Sequence, residues 1–232
     1  MVEHLTRNEK VGSSILPSGS KKTMKEIYII RHAESISNAG EKTDSHDTIP
    51  LSEKGRAQAK ELAEKLNVIP ELIVVSSYSR TRETAEPFIT KHSTVPIETW
   101  DVQEFTFLDP KIYHGTTGEQ RFEAAKKYWT EASIHHKEIE SMESFSEMTK
   151  RMAKLINDLK ERPEKTITIF SHGRFIHGLK LYMEKVKEIG RYDLTDKELN
   201  ELKEIHKEGV LGIIEGKRKF PIDNASVHRI EI

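Results

Sequence analysis

The chain of 232 residues contains no cysteine. That excludes a disulfide framework, a thiol nucleophile and a zinc–thiolate site, and it leaves the redox compartment unmarked. No apolar run reaches the length that a membrane span requires. Residues 1–23, with Glu3, Arg7, Glu9, Ser13, Ser14, Gly19 and three lysines, lack the apolar stretch of a signal peptide. They read as a flexible tail ahead of a domain over 24–232, with a transit peptide as the alternative. Charge of one sign is not in excess: 37 Lys and Arg against 38 Asp and Glu give a net charge of -1. Such a balance offers no general attraction to nucleic acid or to an acidic membrane surface, so any functional positive charge must be local. Internal repeats and low-complexity segments are also missing. The cytoplasm is the default location, and nothing in the sequence marks an oligomeric state.

What is present alternates. Apolar, β-branched runs predict strands at 26–31, 72–76, 96–99, 166–171 and 226–231. Helices are expected at about 53–67, 80–91, 118–137, 143–161, 173–186 and 195–207, with Ser52 as an N-cap and Thr195-Asp196-Lys197-Glu198 as a capping box. Ala59, Leu62, Ala63 and Leu66 form the apolar stripe of the first helix. Strands alternating with helices imply one α/β domain, a three-layer α/β/α sandwich with a mostly parallel central sheet. The segment 184–220 reads as an insertion before the last strand.

Two strand ends stand out: Ile29-Ile30-Arg31-His32-Ala33-Glu34-Ser35 and Ile169-Phe170-Ser171-His172-Gly173. Each places a histidine at the C-terminal edge of a strand, where open α/β sheets bind ligands. An arginine beside one imidazole, with a second imidazole from another strand, suits a phosphoryl group held and attacked without metal. Arg80 lies in a predicted first helical turn, an unfavourable place for a cation unless an anion is nearby.

Several segments in order resemble the histidine phosphatase superfamily, the phosphoglycerate-mutase-like proteins of branch 1. Arg31-His32-Ala33-Glu34-Ser35-Ile36-Ser37-Asn38 is similar to its Arg-His-Gly-Glu-[Ser/Thr]-x-x-Asn, with Ala33 where glycine is usual. Leu51-Ser52-Glu53-Lys54-Gly55-Arg56-Ala57-Gln58-Ala59 resembles its helix entry, and Ser76-Ser77-Tyr78-Ser79-Arg80-Thr81-Arg82-Glu83-Thr84-Ala85 its second arginine motif. Asn224-Ala225-Ser226-Val227 resembles a C-terminal turn of the family.

The resemblance implies His32 as a nucleophile that becomes a phosphohistidine. Arg31, Arg80, His172 and Asn38 would hold the phosphate, Arg82 would lie at the surface, and Glu104 would be the proton donor. Asp101 and Glu98 stay open as alternative donors. A cap over about 105–145 would choose a small phosphorylated substrate, with Phe122, Tyr128, Trp129 and Met142 packing it. No cofactor or metal is implied, and His114, His135 and His136 read as solvated. The activity expected is that of a phosphoric monoester hydrolase of the histidine acid phosphatase type. Two alternatives stay open: mutase-type phosphoryl transfer, against which the apolar Phe105, Phe107, Leu108 and Tyr113 weigh, and a non-catalytic phosphate-binding protein.

Overall fold

A computed structural model describes residues 24–214 and 222–232, so the expected tail over 1–23 and the end of the expected insertion lie outside the described residues. Five strands form one sheet: β1 (Glu26–Arg31), β2 (Leu72–Val75), β3 (Ile97–Thr99), β4 (Thr166–Ser171) and β5 (Val227–Glu231). Their order is β3-β2-β4-β1-β5, parallel except for β5, which runs antiparallel along β1. Six helices accompany them: α1 (Glu53–Lys65), α2 (Ser79–Lys91), α3 (Phe122–Glu131), α4 (Phe145–Glu161), α5 (Gly173–Ile189) and α6 (Asp196–Ile214).

Strand residues alternate between two apolar cores because successive side chains leave opposite faces of a strand. Ile30, Ile73, Val75 and Phe170 pack with Leu62 and Ala63 of α1 and with Ala85 and Phe88 of α2. On the other face Ile27, Ile29, Leu72, Val74, Ile167 and Ile169 pack with Phe145 and Met152 of α4 and Phe175 of α5, and Trp129 of α3 joins the same core. The three-layer sandwich read from the alternation is therefore the architecture.

The registers align three strand ends. Arg31 pairs with Ser171, the amide of His32 donates to the Ser171 carbonyl at 2.9 Å, and the amide of Ser76 donates to Phe170 at 3.1 Å. His32, Ser76 and His172 thus arrive at one edge.

Boundaries shift where packing overrides local signals. The helix expected over 118–137 is shorter, as α3. The segment expected as an insertion from 184 begins with the last turns of α5, and α6 extends past residue 207 to Ile214. Gly209 lies inside α6 because a Cβ there would come within 2.4 Å of the His177 ring. The glycine serves close packing of α6 on α5. Both predicted caps form: Ser52 Oγ accepts from the Gly55 amide at 3.0 Å, and the Thr195 amide donates to Glu198 at 2.7 Å. Among the described residues no helix is long and apolar enough to cross a membrane.

Candidate active site

Above the C-terminal edge lies a cleft of about 510 Å³ whose walls include Arg31, His32, Asn38, Arg80 and Glu104. His32 follows β1 directly and is only 3 % exposed. Its Nδ1 lies 2.7 Å from the Ala33 carbonyl, an acceptor only, so this nitrogen carries the proton. Its Nε2 accepts from Nε–H of Arg80 at 3.2 Å and is therefore the lone-pair nitrogen. Burial first, then Arg80 and Arg31, hold the His32 pKa well below its ordinary value. The ring is neutral, with its basic nitrogen toward the cations.

Arg80 is 6 % exposed in the first turn of α2, where no acidic side chain offsets it against the helix dipole. It is held by the His46 carbonyl at 2.6 Å and lies 4.9 Å above the Tyr78 ring, and burial lowers its pKa to about 10. Arg31 donates to the Ile222 carbonyl, which turns its guanidinium along the cleft. Asn38 accepts through Oδ1 from the Ser35 amide and hydroxyl and from Asn224, which leaves its amide NH₂ to donate toward the cleft.

His172 stands apart from this group. It is fully buried and does not line the cleft. Its Nε2 lies 2.9 Å from Ser76 Oγ, and its ring packs edge-on against His32 at 5.2 Å and Tyr78 at 5.1 Å. Its Nδ1 has no hydrogen-bond partner among the described residues. The two imidazoles meet edge-on, and of the two only His32 lines the cleft.

Glu104 reaches the cleft on a loop clamped by Arg151 of α4. Arg151 donates to the carbonyls of Asp101 at 3.0 Å and Gln103 at 2.9 Å and forks onto Glu143. The Glu104 carboxylate accepts from the amides of Phe105 at 3.1 Å, Phe175 at 3.2 Å and Arg174 at 3.4 Å, and Arg174 Nη1 lies 3.8 Å away. Two of these amides belong to the first turn of α5, whose N-cap residue, His172, supplies no side-chain acceptor. Glu104 therefore caps α5 as well as facing the cleft. Neither alternative donor lines the cleft: Asp101 is exposed, and Glu98 bonds the Trp100 indole at 2.7 Å and Arg162 at 2.7 Å.

Ala33 is accommodated without strain. It is fully buried against Leu51, Ala59 and Ala225, and its amide donates to Thr84 Oγ1 at 3.0 Å. Glu34 joins the loop to α1: its carbonyl accepts from the Ser52 amide at 2.9 Å, its carboxylate from Ser52 Oγ at 2.9 Å and Lys54 at 2.6 Å, and its amide donates to Gln58 at 2.9 Å. Arg82 is exposed, as expected. His114, His135 and His136 are exposed too, with Asp44 3.4 Å from His114 and Asp196 3.1 Å from His135.

Five residues of the site went unassigned in the sequence reading. Ser76 and Asn224 lie inside recognised segments; Asn224 donates to the His32 carbonyl at 3.1 Å and ties the C-terminal turn to the loop that follows β1. Arg174 directly follows Ser-His-Gly. His46 sits in a loop that carries no periodic signal, and Arg121, within the helix expected over 118–137, falls instead in the turn before α3. Burial first, then Arg174, Arg121 and Arg80, lowers the His46 pKa to about 4, so its ring is neutral. The wall expected to be apolar at Phe107 and Leu108 also carries Arg121 and Arg174.

Residues 27–212 match the sequence profile of the histidine phosphatase superfamily (branch 1). A Bacillus subtilis protein named as an uncharacterised phosphatase, PhoE, is 30% identical over 158 residues, covering 67% of this chain and 76% of its own. A probable phosphoglycerate mutase, GpmB, of Erwinia tasmaniensis is 28% identical over 161 residues, covering 65% and 70%. Among solved structures, phosphoglycerate mutase from Bacillus anthracis superposes with a TM-score of 0.63 at 18% identity, covering 91% of this chain and 89% of that one. A phosphoserine phosphatase mutant from Entamoeba histolytica superposes at 0.56 and 19% identity, covering 89% and 94%. These two structural likenesses bear on fold alone.

Proposed function

Because the chain belongs to the histidine phosphatase superfamily, branch 1, we propose that it hydrolyses small phosphomonoesters through a phosphohistidine on Nε2 of His32, without a metal. The observation that carries this reading is the tautomer of His32. With its proton committed to the Ala33 carbonyl, Nε2 offers a lone pair into a cleft lined by arginines.

In the first step a phosphate dianion sits between Arg31 and Arg80, with the Asn38 amide as a neutral donor. Cations and donors already aimed at the transferring group stabilise its charge without reorganisation. Nε2 forms a bond to phosphorus as the ester P–O bond breaks, and the leaving oxygen takes a proton from Glu104. A water then attacks phosphorus, gives its proton to Glu104, and releases inorganic phosphate as the N–P bond breaks. Two displacements replace one difficult one. His172, buried behind His32 on Ser76, holds the nucleophile's ring in place.

Hydrolysis is favoured over mutase-type return of the phosphoryl group by the phosphatase name of the Bacillus subtilis relative. Rapid quenching of the purified protein with a radiolabelled phosphomonoester, chelator present, tests the proposal. Acid-labile, base-stable label on His32, absent from His32→Ala, is expected. Label on Ser35 or Ser171 overturns the nucleophile, turnover that returns only with zinc or magnesium overturns the metal-free route, and transfer to an added phosphoglycerate in preference to water replaces hydrolysis by the mutase reaction.

A further inference from the structure

We propose that Arg121 and Arg174 form a second oxyanion-binding pole in the cleft. The substrate is then a phosphomonoester whose other part carries an additional anionic group, a carboxylate or a second phosphoryl group, next to an apolar portion. The inference rests on the phosphatase reading above and narrows its substrate class.

Arg121 precedes α3 in a turn that points its guanidinium into the cleft, where Thr116 fixes it through its carbonyl at 2.7 Å and its hydroxyl at 3.0 Å. These bonds orient the fork without neutralising it, and among the described residues no carboxylate pairs with it. Arg174, in the first turn of α5, donates to the Phe105 carbonyl at 3.3 Å and lies 5.3 Å over the Phe107 ring. Among the described residues its one acidic contact is Glu104, at 3.8 Å. Burial and then the nearby Arg174 lower the Arg121 pKa, so the two cations face each other in a partly desolvated space. Like charges held together by the fold cost stability in the empty cleft, and a shared anion relieves that cost.

Charge balance leads to the same place. The four arginines of the cleft face two carboxylates, Glu104 and Glu119. Glu104 must carry a proton to serve as donor, and three net positive charges then face the two negative charges of a phosphate. One positive charge remains for the rest of the substrate. A planar guanidinium fork suits either a carboxylate or a phosphoryl group. The surrounding wall is apolar, with Phe122, Leu108 and Val210 of α6 close to the pair.

The test compares phenyl phosphate with carboxyphenyl phosphate and phenylene bisphosphate as esters, and benzylphosphonate with carboxybenzylphosphonate as ligands that cannot be hydrolysed. Wild-type protein should prefer the compounds with the second anion by at least about tenfold in kcat/KM and in affinity, the effect of one charge-assisted contact. The bisphosphate and carboxylate arms show which group is preferred. Arg121→Gln and Arg174→Gln should bring both ratios toward one, Arg121→Lys should retain part of them, and Arg82→Gln, on the surface, should leave them unchanged. A wild-type ratio near one, or a ratio that survives Arg121→Gln, overturns the second pole. If Arg174→Gln unfolds through its contact with Glu104, the wild-type and Arg121 ratios decide. The phosphonates keep the two readings separable: discrimination without ester turnover removes the hydrolytic reading and leaves the pole, whereas turnover without discrimination removes the pole alone.

Discussion

Glu104 caps α5 and is proposed as the acid, and a single substitution separates the two roles. As an acid it must hand a proton to an alkoxide; as a cap it must accept from the first turn of α5. Glutamine keeps the size and one acceptor but has no transferable proton. If the acid role holds, Glu104→Gln slows alkyl phosphates by about 10²- to 10⁴-fold. p-Nitrophenyl phosphate, which leaves as a stabilised anion, should give a burst of nitrophenol followed by slow turnover, because its first step needs no proton while its second still needs a base. Equal loss on alkyl and aryl esters with no burst, accompanied by a lower urea midpoint, would show that the residue acts only as a cap. At the same scale, Ala33 shows that the usual glycine of the nucleophile motif is not required here: no positive φ falls at this position, and its methyl group fills space between Leu51 and Ala59.

Between elements, the loop that carries His32 depends on how closely α1 approaches it. A Cβ on Gly55 would lie 1.9 Å from the Glu34 carbonyl oxygen, a backbone atom that cannot swing aside. Gly55→Ala must therefore push α1 away from the loop, strain the Ser52 and Gln58 bonds to Glu34, and move His32 two residues upstream. Overpacking of this kind costs about 1–3 kcal/mol, and kcat should fall with stability. Urea denaturation and steady-state kinetics check both, and unchanged stability would show that the helix entry tolerates a side chain. Ser52, Gly55 and Gln58 thus act through Glu34 as one positioning device.

For the whole molecule, the buried histidines couple folding to pH. His32, His172 and His206 have pKa values driven well below the ordinary range, each chiefly by burial, and desolvation brings His46 and His177 to about 4. His206 packs between Trp129 and His177, and neither of its ring nitrogens has a partner among the described residues. The unfolded chain binds protons on these rings near pH 6.5 while the folded chain does not. Their contribution is therefore complete above about pH 6.5 and is lost as the pH falls toward 4, at about 1.4 kcal/mol per pH unit for each fully buried ring. The urea midpoint should drop steeply between pH 7 and 5. His206→Phe, which keeps an aromatic ring in the α3–α5–α6 core, should flatten that slope by about one proton. An unchanged slope would show that His206 does not take part.

The sequence by itself determined the elements, their caps, the architecture and the place of the site, because these rest on local periodicity and on strand ends. The Ile27-Tyr28-Ile29-Ile30 and Ile167-Thr168-Ile169-Phe170 runs can only be buried strands, and parallel neighbours in register bring Arg31-His32 and His172 to one edge. Tertiary structure alone decided what surrounds them. The bond from Asn224 to His32 spans 192 residues, His46 lies in a loop without a repeating pattern, and Arg121 lies in the turn that replaces the start of the expected third helix. Their positions follow from which helices pack beside the edge, a property of the folded chain that no short segment encodes. The same holds for His172, whose motif names it without showing that Ser76 and Tyr78 would bury it behind its partner, and for Glu104, whose amide donors exist only once α5 has docked against the loop that carries it.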